Sequence, residues 1–454
     1  MYKRMITFVL CLSLLMMLSA QAGQPVDRLQ YSLQLLEAVQ KGDEAAVLQD
    51  MTAEMVAALK GKVAVLWPQL VATAGEFVEV AGQREYEQDG FNIAETGLQF
   101  ERMYLAQSLA FDQQGKVSGL YYQPGVRPQP SQAPQADALP QGLTEEAVTI
   151  AADARYPLPG TLTLPEGEVR GGFVLVHGSG PNDRDERVGA NKPFRDIAWG
   201  LARQGFAVLR YDKRTLVHGK EMAADPDFAK LTVEEETTRD AAQAVKVLLQ
   251  RPEMAGKKAF LLGHSMGAML ASSVGTLAPE IAGYVLMAGT PRKLWQVLED
   301  QNNQALAELP PEQAAQARPL LDAEIAKAKV LRDLTDEEAL LPENAPFTIS
   351  AWYLRHWEGI DAAGLHLQDG KPVLVLQGES DRQVGMADYA LWQQALAEHP
   401  DAAFKSYPGL NHLFGRYEGE PVPLSQLVAV EYMQPTPVAD EVIQDIARWA
   451  LDRL

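Results

Sequence analysis

The sequence predicts a small α+β domain followed by a larger α/β domain, the latter a mostly parallel sheet covered by helices on both faces. That reading rests on a change of rhythm along the chain, a break between the two rhythms, and a long interruption of the second. After residue 143, apolar runs at 172–176, 207–211, 259–262, 284–288 and 373–377 alternate with helical periodicity at 194–203, 233–250 and 268–277. A continuous apolar run suits a strand buried on both faces, and its alternation with helices is the pattern of βαβ units. Before residue 123, helical periodicity at 27–40 and 45–59 gives way to short alternating segments at 77–81, 100–103, 108–111 and 117–121, with Gly115 as a turn. Helices followed by a run of antiparallel strands read as α+β.

The break is QPGVRPQPSQAPQADALPQG at 123–142, where Pro124, Pro128, Pro130, Pro134 and Pro140 stand among Gln, Ser and Ala. Proline at this density makes a semi-rigid extended linker. The interruption lies between Pro291 and Glu358, where Ala, Leu, Glu and Gln replace the strand rhythm. It reads as a helical cap, at about 291–358, inserted between two sheet strands. The expected organisation is a leader at 1–22, an α+β domain at 23–122, a linker at 123–142 and the α/β domain at 143–454.

Composition narrows the partners. The 454 residues are 47% hydrophobic and 22% charged, which is ordinary for globular domains. Lys and Arg number 40 against 60 Asp and Glu, a formal charge of −20. That balance opposes nucleic acid and anionic membrane surfaces. At the N-terminus Lys3 and Arg4, an apolar stretch at 5–18 and Ala20-Gln21-Ala22 form a secretory signal cleaved after Ala22. The expected location is therefore secreted or periplasmic. The apolar stretch is shorter than the roughly 20 residues that span a bilayer, so no stable membrane insertion is expected. Cys11, the one cysteine, lies inside the leader. The mature chain then has no thiol, which suits an oxidising compartment.

The chemistry centres on GHSMG, Gly263 to Gly267. A serine between two glycines just after an apolar run marks a sharp strand-to-helix turn, where side chains at the glycine positions would collide. A serine hydroxyl attacks only when a base takes its proton. His412 in PGLNHLF would be that base, and Asp381 in QGESDRQV would orient its ring. Ser265 follows the strand at 259–262, Asp381 the strand at 373–377 and His412 the segment at 403–407, and ligands of open α/β sheets sit at the carboxyl ends of strands. The order Ser265, Asp381, His412 is the order of the α/β-hydrolase triad. Two backbone N–H groups must face the developing oxyanion: Met266 after the nucleophile, and Ser179 in Val176-His-Gly-Ser-Gly180.

Together LVHGSGPNDRDE, NKPFRDIAWGLARQGFAVLRYDKR, GHSMG, LVLQGESDRQV and NHLF resemble the bacterial α/β-hydrolase carboxylesterases, over about 143–454. The resemblance implies an α/β-hydrolase fold with a helical cap and hydrolysis of small, often short-chain carboxylic esters, with water as the second substrate. The N-terminal region resembles, on pattern more than motif, a cystatin-like domain of unknown function found ahead of secreted hydrolases. Dimerisation, substrate gating and wall or ligand binding are all open roles for it.

Other residues have plainer readings. His264 should point away from the nucleophile and pack, and His177 should support the oxyanion loop. His218, His356, His366 and His399 read as surface or core histidines. Glu379 is the rival to Asp381. Asn182, Asp183, Arg184 and Asp185 read as a hydrogen-bonded loop partnered by Arg210, Asp212, Lys213 and Arg214. Trp352, Tyr353 and Trp357 either line an acyl pocket or anchor the cap. No metal or phosphate-binding motif is present in the sequence, and no cofactor is expected. A serine aminopeptidase, dipeptidyl-peptidase or thioesterase on the same fold is the first alternative. A non-catalytic envelope binding protein is the second.

Overall fold

A computed structural model describes residues 28–88, 91–101, 103–112, 114–124 and 138–454. The leader and most of the proline-rich linker lie outside the described residues. The chain divides into two compact units.

The N-terminal unit opens with helices Arg28–Lys41, Glu44–Leu48, Ala53–Leu59 and Val63–Ala74. Antiparallel strands β1 (Phe77–Gln88), β2 (Phe91–Phe100), β3 (Tyr104–Phe111) and β4 (Val117–Pro124) follow, paired in that order. Leu35 and Val39 of the first helix pack with Ala94, Leu109, Phe111 and Val117 of the sheet. The expected helix over 45–59 is broken because Met51 bridges to Val117, the Thr52 amide donating to the Val117 carbonyl. Of the strand expected at 100–103, Phe100 ends β2, and Glu101 and Met103 lie outside the strands. β2 escaped the sequence reading because polar Thr96 interrupts its inward row of Ala94, Leu98 and Phe100, and Glu95 on the opposite face is buried as well. Thr96 and Gln107 instead hydrogen-bond the first helix through Ser32.

The second unit holds an eight-stranded sheet in the order β12-β11-β10-β9-β7-β8-β6-β5. The strands are β5 (Leu143–Ile150), β6 (Leu158–Pro165), β7 (Gly171–Val176), β8 (Phe206–Tyr211), β9 (Ala259–His264), β10 (Ile281–Met287), β11 (Val373–Gly378) and β12 (Ala402–Tyr407). From β12 to β8 all neighbours are parallel; β6 and β5 close the edge antiparallel. This is the α/β-hydrolase architecture. The β5–β6 hairpin was not expected, because the outer strand carries Glu145 and Glu146 and exposes most of its length.

Alternate residues of each central strand enter separate cores. Val174, Leu209 and Leu261 face helices Arg239–Leu249 and Met266–Leu277, while Phe173, Val208 and Phe260 face Pro193–Arg203 and Asp440–Leu451. Each side chain so buried contributes about 1.5–3 kcal/mol before entropy is charged against it. The chain runs from β7 to β8 on one side, then returns to β9 on the other. That reversal opens a crevice at the carboxyl ends of β7 and β9. Between β10 and β11 the cap is helical, with Leu294–Ala307, Pro311–Lys329 and Ala351–Glu358 as its main elements.

Candidate active site

Ser265 leaves β9 with φ 51° and ψ −114°, a conformation non-glycine residues avoid. Its amide donates to the Met287 carbonyl at 2.8 Å, and its carbonyl accepts from Ala268 and starts helix Met266–Leu277. The flanking glycines are required by space. A β-carbon on Gly263 would lie 2.3 Å from the Gly267 carbonyl oxygen, and one on Gly267 would lie 2.1 Å from that of Val176. The serine is partly exposed at the head of this otherwise buried turn.

Asp381 and His412 meet across the loops after β11 and β12. Asp381 Oδ2 stands 2.7 Å from His412 Nδ1 and also accepts from Gln377 Nε2 at 3.0 Å. Its Oδ1 accepts from the amides of Gln383 and Val384. A carboxylate with these donors is fixed in rotation, so His412 carries its proton on Nδ1 and leaves Nε2 as the basic position. Glu379 is exposed and accepts from Ser406 Oγ instead. Asn411 Oδ1 braces the His412 loop through the amides of Leu413 and Gly415.

His264 does more than pack. Its Nε2 donates to the His412 carbonyl at 2.9 Å, and its Nδ1 is 3.0 Å from Glu186 Oε2. Burial would push His264 down and Glu186 up, but each reverses the other: His264 is held above its ordinary value and Glu186 below. Glu186 Oε1 also accepts from the Gly178 amide at 2.6 Å. The buried His264–Glu186 pair therefore joins the loop after β7 to the backbone of the His412 loop. The sequence signal for Glu186 was its place at the end of the PNDRDE run, where a polar stretch turns inward.

Ser179 lies exposed on the Val176–Gly180 loop, next to Gly178, whose imagined β-carbon would stand 3.2 Å from that of Ser265. Met266, the first residue of its helix, has an N–H with no acceptor within the helix. The loop behind is laced by three of its four expected partners, Arg214 turning instead to Asp240. Arg184 grips Asp212 with two bonds of 2.9 and 2.7 Å, Arg210 pairs with Asp185 and Glu145, and the Lys213 amide donates to the Asn182 carbonyl. His177 packs between Phe194 and Tyr211, and burial pushes its ring down to about 4, so it is neutral. His366 and His399 are core residues.

The cap's aromatics divide their work. Trp357 and Tyr353 join Met266, Met269 and Val384 in one apolar cluster beside the elbow. Trp352 instead donates to the Lys230 carbonyl from an outer position. Lys293 and Trp295, at the start of the insertion, bond Glu358 at its end. Among the described residues, no helix is long and apolar enough to cross a membrane, and no group of three or more His, Cys, Asp or Glu is placed to hold a metal ion.

Residues 167–416 match the family described as serine aminopeptidase, S33. Esterase EstD of Thermotoga maritima is 33% identical over 395 residues, covering 85% of each chain. Among solved structures, Est1E from Butyrivibrio proteoclasticus is 14% identical with a TM-score of 0.42, covering 68% of this chain and 98% of that one. The Pyrococcus furiosus esterase Pf2001 is also 14% identical, with a TM-score of 0.40, covering 68% and 90%. On the match over residues 167–416 the chain belongs to the serine aminopeptidase S33 family, and with the Thermotoga maritima esterase as a relative at 33% identity it is an esterase-type hydrolase.

Proposed function

We propose that the protein is a serine carboxylesterase that hydrolyses small carboxylic esters through an acyl-enzyme. The observation that carries this reading is the 2.7 Å contact between Asp381 and His412, on a loop that His264 ties to the Ser265 elbow. Ser265 Oγ attacks the ester carbonyl while His412 Nε2 takes its proton. The carbonyl oxygen becomes an oxyanion, received by the amides of Met266 and Ser179. Collapse expels the alkoxide, which takes the proton back from His412 and leaves as alcohol. Water then attacks the acyl-enzyme, giving its proton to His412, and collapse returns that proton to Ser265 as the carboxylic acid departs. Asp381 orients the ring and stabilises the imidazolium each time it forms. The Trp357 cluster supports a dry acyl site beneath the cap. The leader pattern at 1–22 supports work outside the cytoplasm.

The family's description keeps peptide hydrolysis as the competing reading, whereas the relative's name favours esters. A substrate panel separates them: p-nitrophenyl esters from acetate to palmitate, aminoacyl p-nitroanilides and an acyl thioester. We expect kcat/KM to peak on short esters. A preference for the anilides or the thioester overturns the carboxylesterase reading.

A further inference from the structure

We infer that Lys213 is a positioning residue for the oxyanion hole, and that Glu236 and Tyr353 tie it to the cap. The inference rests on the esterase reading and deepens it. Lys213 is 2% exposed, just past the carboxyl end of β8. Burying an ammonium is costly unless each of its donors is used, so filling space alone gives no reason for a lysine here. Its Nζ donates to the Gly178 carbonyl at 3.1 Å and pairs with Glu236 Oε1 at 3.0 Å.

The Gly178 carbonyl belongs to the same peptide plane as the Ser179 N–H. In a trans peptide the two point in opposite directions. A cation on the carbonyl therefore fixes the heading of the Ser179 N–H on the far side and, by polarising the peptide, strengthens it as a donor. Asn182 Nδ2 reinforces the hold on the same carbonyl at 3.2 Å. Lys213 itself never meets the substrate. The opposite face of Glu236 accepts from Tyr353 Oη at 2.5 Å, and Tyr353 stands on the cap helix Ala351–Glu358. Any motion of that helix thus reaches the oxyanion peptide through one phenol, one carboxylate and one ammonium.

The test measures kcat and KM on p-nitrophenyl acetate for Lys213→Met, Lys213→Met/Glu236→Gln and Tyr353→Phe. The double variant avoids stranding the Glu236 charge and so guards against misfolding, which circular dichroism checks. Each variant is also titrated with a trifluoromethyl ketone, which adds the serine oxygen and places an oxyanion in the hole, and with a simple alcohol, which does not. Loss of one oxyanion donor costs on the order of 10²–10³, so a misaimed donor should lower kcat by about 10- to 100-fold with KM little changed. Ketone affinity should fall in proportion while alcohol affinity holds. Tyr353→Phe removes one oxygen and no charge, and should lower kcat by about 3- to 10-fold, again with little change in KM.

Wild-type kcat in the folded Lys213 variants or in Tyr353→Phe overturns the inference. So does a loss in which ketone affinity is unchanged, or in which alcohol affinity falls equally. Ser265→Ala run alongside separates the levels. If it stays active, the esterase reading fails and takes the inference with it; if it is inactive beside fully active Lys213 variants, the inference alone fails.

Discussion

In the N-terminal unit the buried polar side chains Ser32, Thr96 and Gln107 are neutral and satisfy one another, Gln107 Oε1 also accepting from Tyr122 Oη. At the carboxyl rim of the eight-stranded sheet the buried polar groups are largely ionisable and paired: Glu186 with His264, Lys213 with Glu236, Arg214 with Asp240, Asp381 with His412. A neutral network costs little and fixes how helix and sheet pack. Buried charges contribute little net stability and become expensive when one partner is lost. Their concentration where β7, β8, β9 and β11 end is the mark of a site that needs placed charges and dipoles. The one large exception, Arg84 on Glu95, lies toward the outer edge of the N-terminal sheet with the arginine mostly exposed.

Replacing one member of each network would show that difference, and Asp381→Asn should have the largest effect. It leaves the size of the group unchanged but presents the wrong partner to His412 Nδ1, so kcat on p-nitrophenyl acetate should fall by about 10⁴-fold. Thermal unfolding should shift by only a few degrees. Equal loss of fold and activity would make Asp381 a structural residue.

Glu186→Gln should do both kinds of damage, and in a pH-dependent way. The Glu186 carboxyl lies below its ordinary 4.5 and His264 above its ordinary 6.5. The carboxylate's contribution is present above 4.5 and is lost as pH falls through its lower folded value. The imidazolium's is complete below 6.5 and is lost as pH rises through its higher folded value. The variant should therefore be destabilised most between these two values, by about 3 kcal/mol, with the deficit shrinking at higher and lower pH. Denaturant unfolding across pH 4–9 measures it, and a deficit constant across that range contradicts the ion pair.

The smallest effect belongs to the N-terminal network. Gln107→Leu strands the Tyr122 hydroxyl and takes a donor from Ser32, whose hydroxyl keeps Thr96, and should cost about 1–3 kcal/mol in unfolding of that unit. The kcat on small esters should be unchanged, and a drop there would show that the two networks are not independent.

Which of these groups the sequence revealed follows from how each is encoded. Ser265 and Asp381 each sit in a short motif just after an apolar strand, so strand periodicity places them at one rim, while His412 follows AAFKSY, an edge strand carrying Lys405 and Ser406. The elbow glycines announce themselves because only backbone contact explains them. Glu186, His264 and Lys213 are different: their partners are distant in sequence, and no spacing rule pairs a PNDRDE glutamate with the histidine of GHSMG. The same limit hid β2 and β5, whose polar residues are accounted for by tertiary hydrogen bonds and by exposure at a sheet edge, not by periodicity. The amphipathic helix Asp440–Leu451, which buries Val442, Ile443, Ile446 and Trp449, was open to reading and went unread.

The central claim is that Ser265 carries the acyl group. A fluorophosphonate probe, which phosphonylates an activated serine with loss of fluoride, tests it most directly when followed by peptide mass spectrometry and residual esterase activity. The account predicts one adduct per chain, on the peptide containing Ser265, with activity falling in step with labelling. Full labelling of Ser265 with hydrolysis intact, or inactivation by an adduct on another residue, would contradict it.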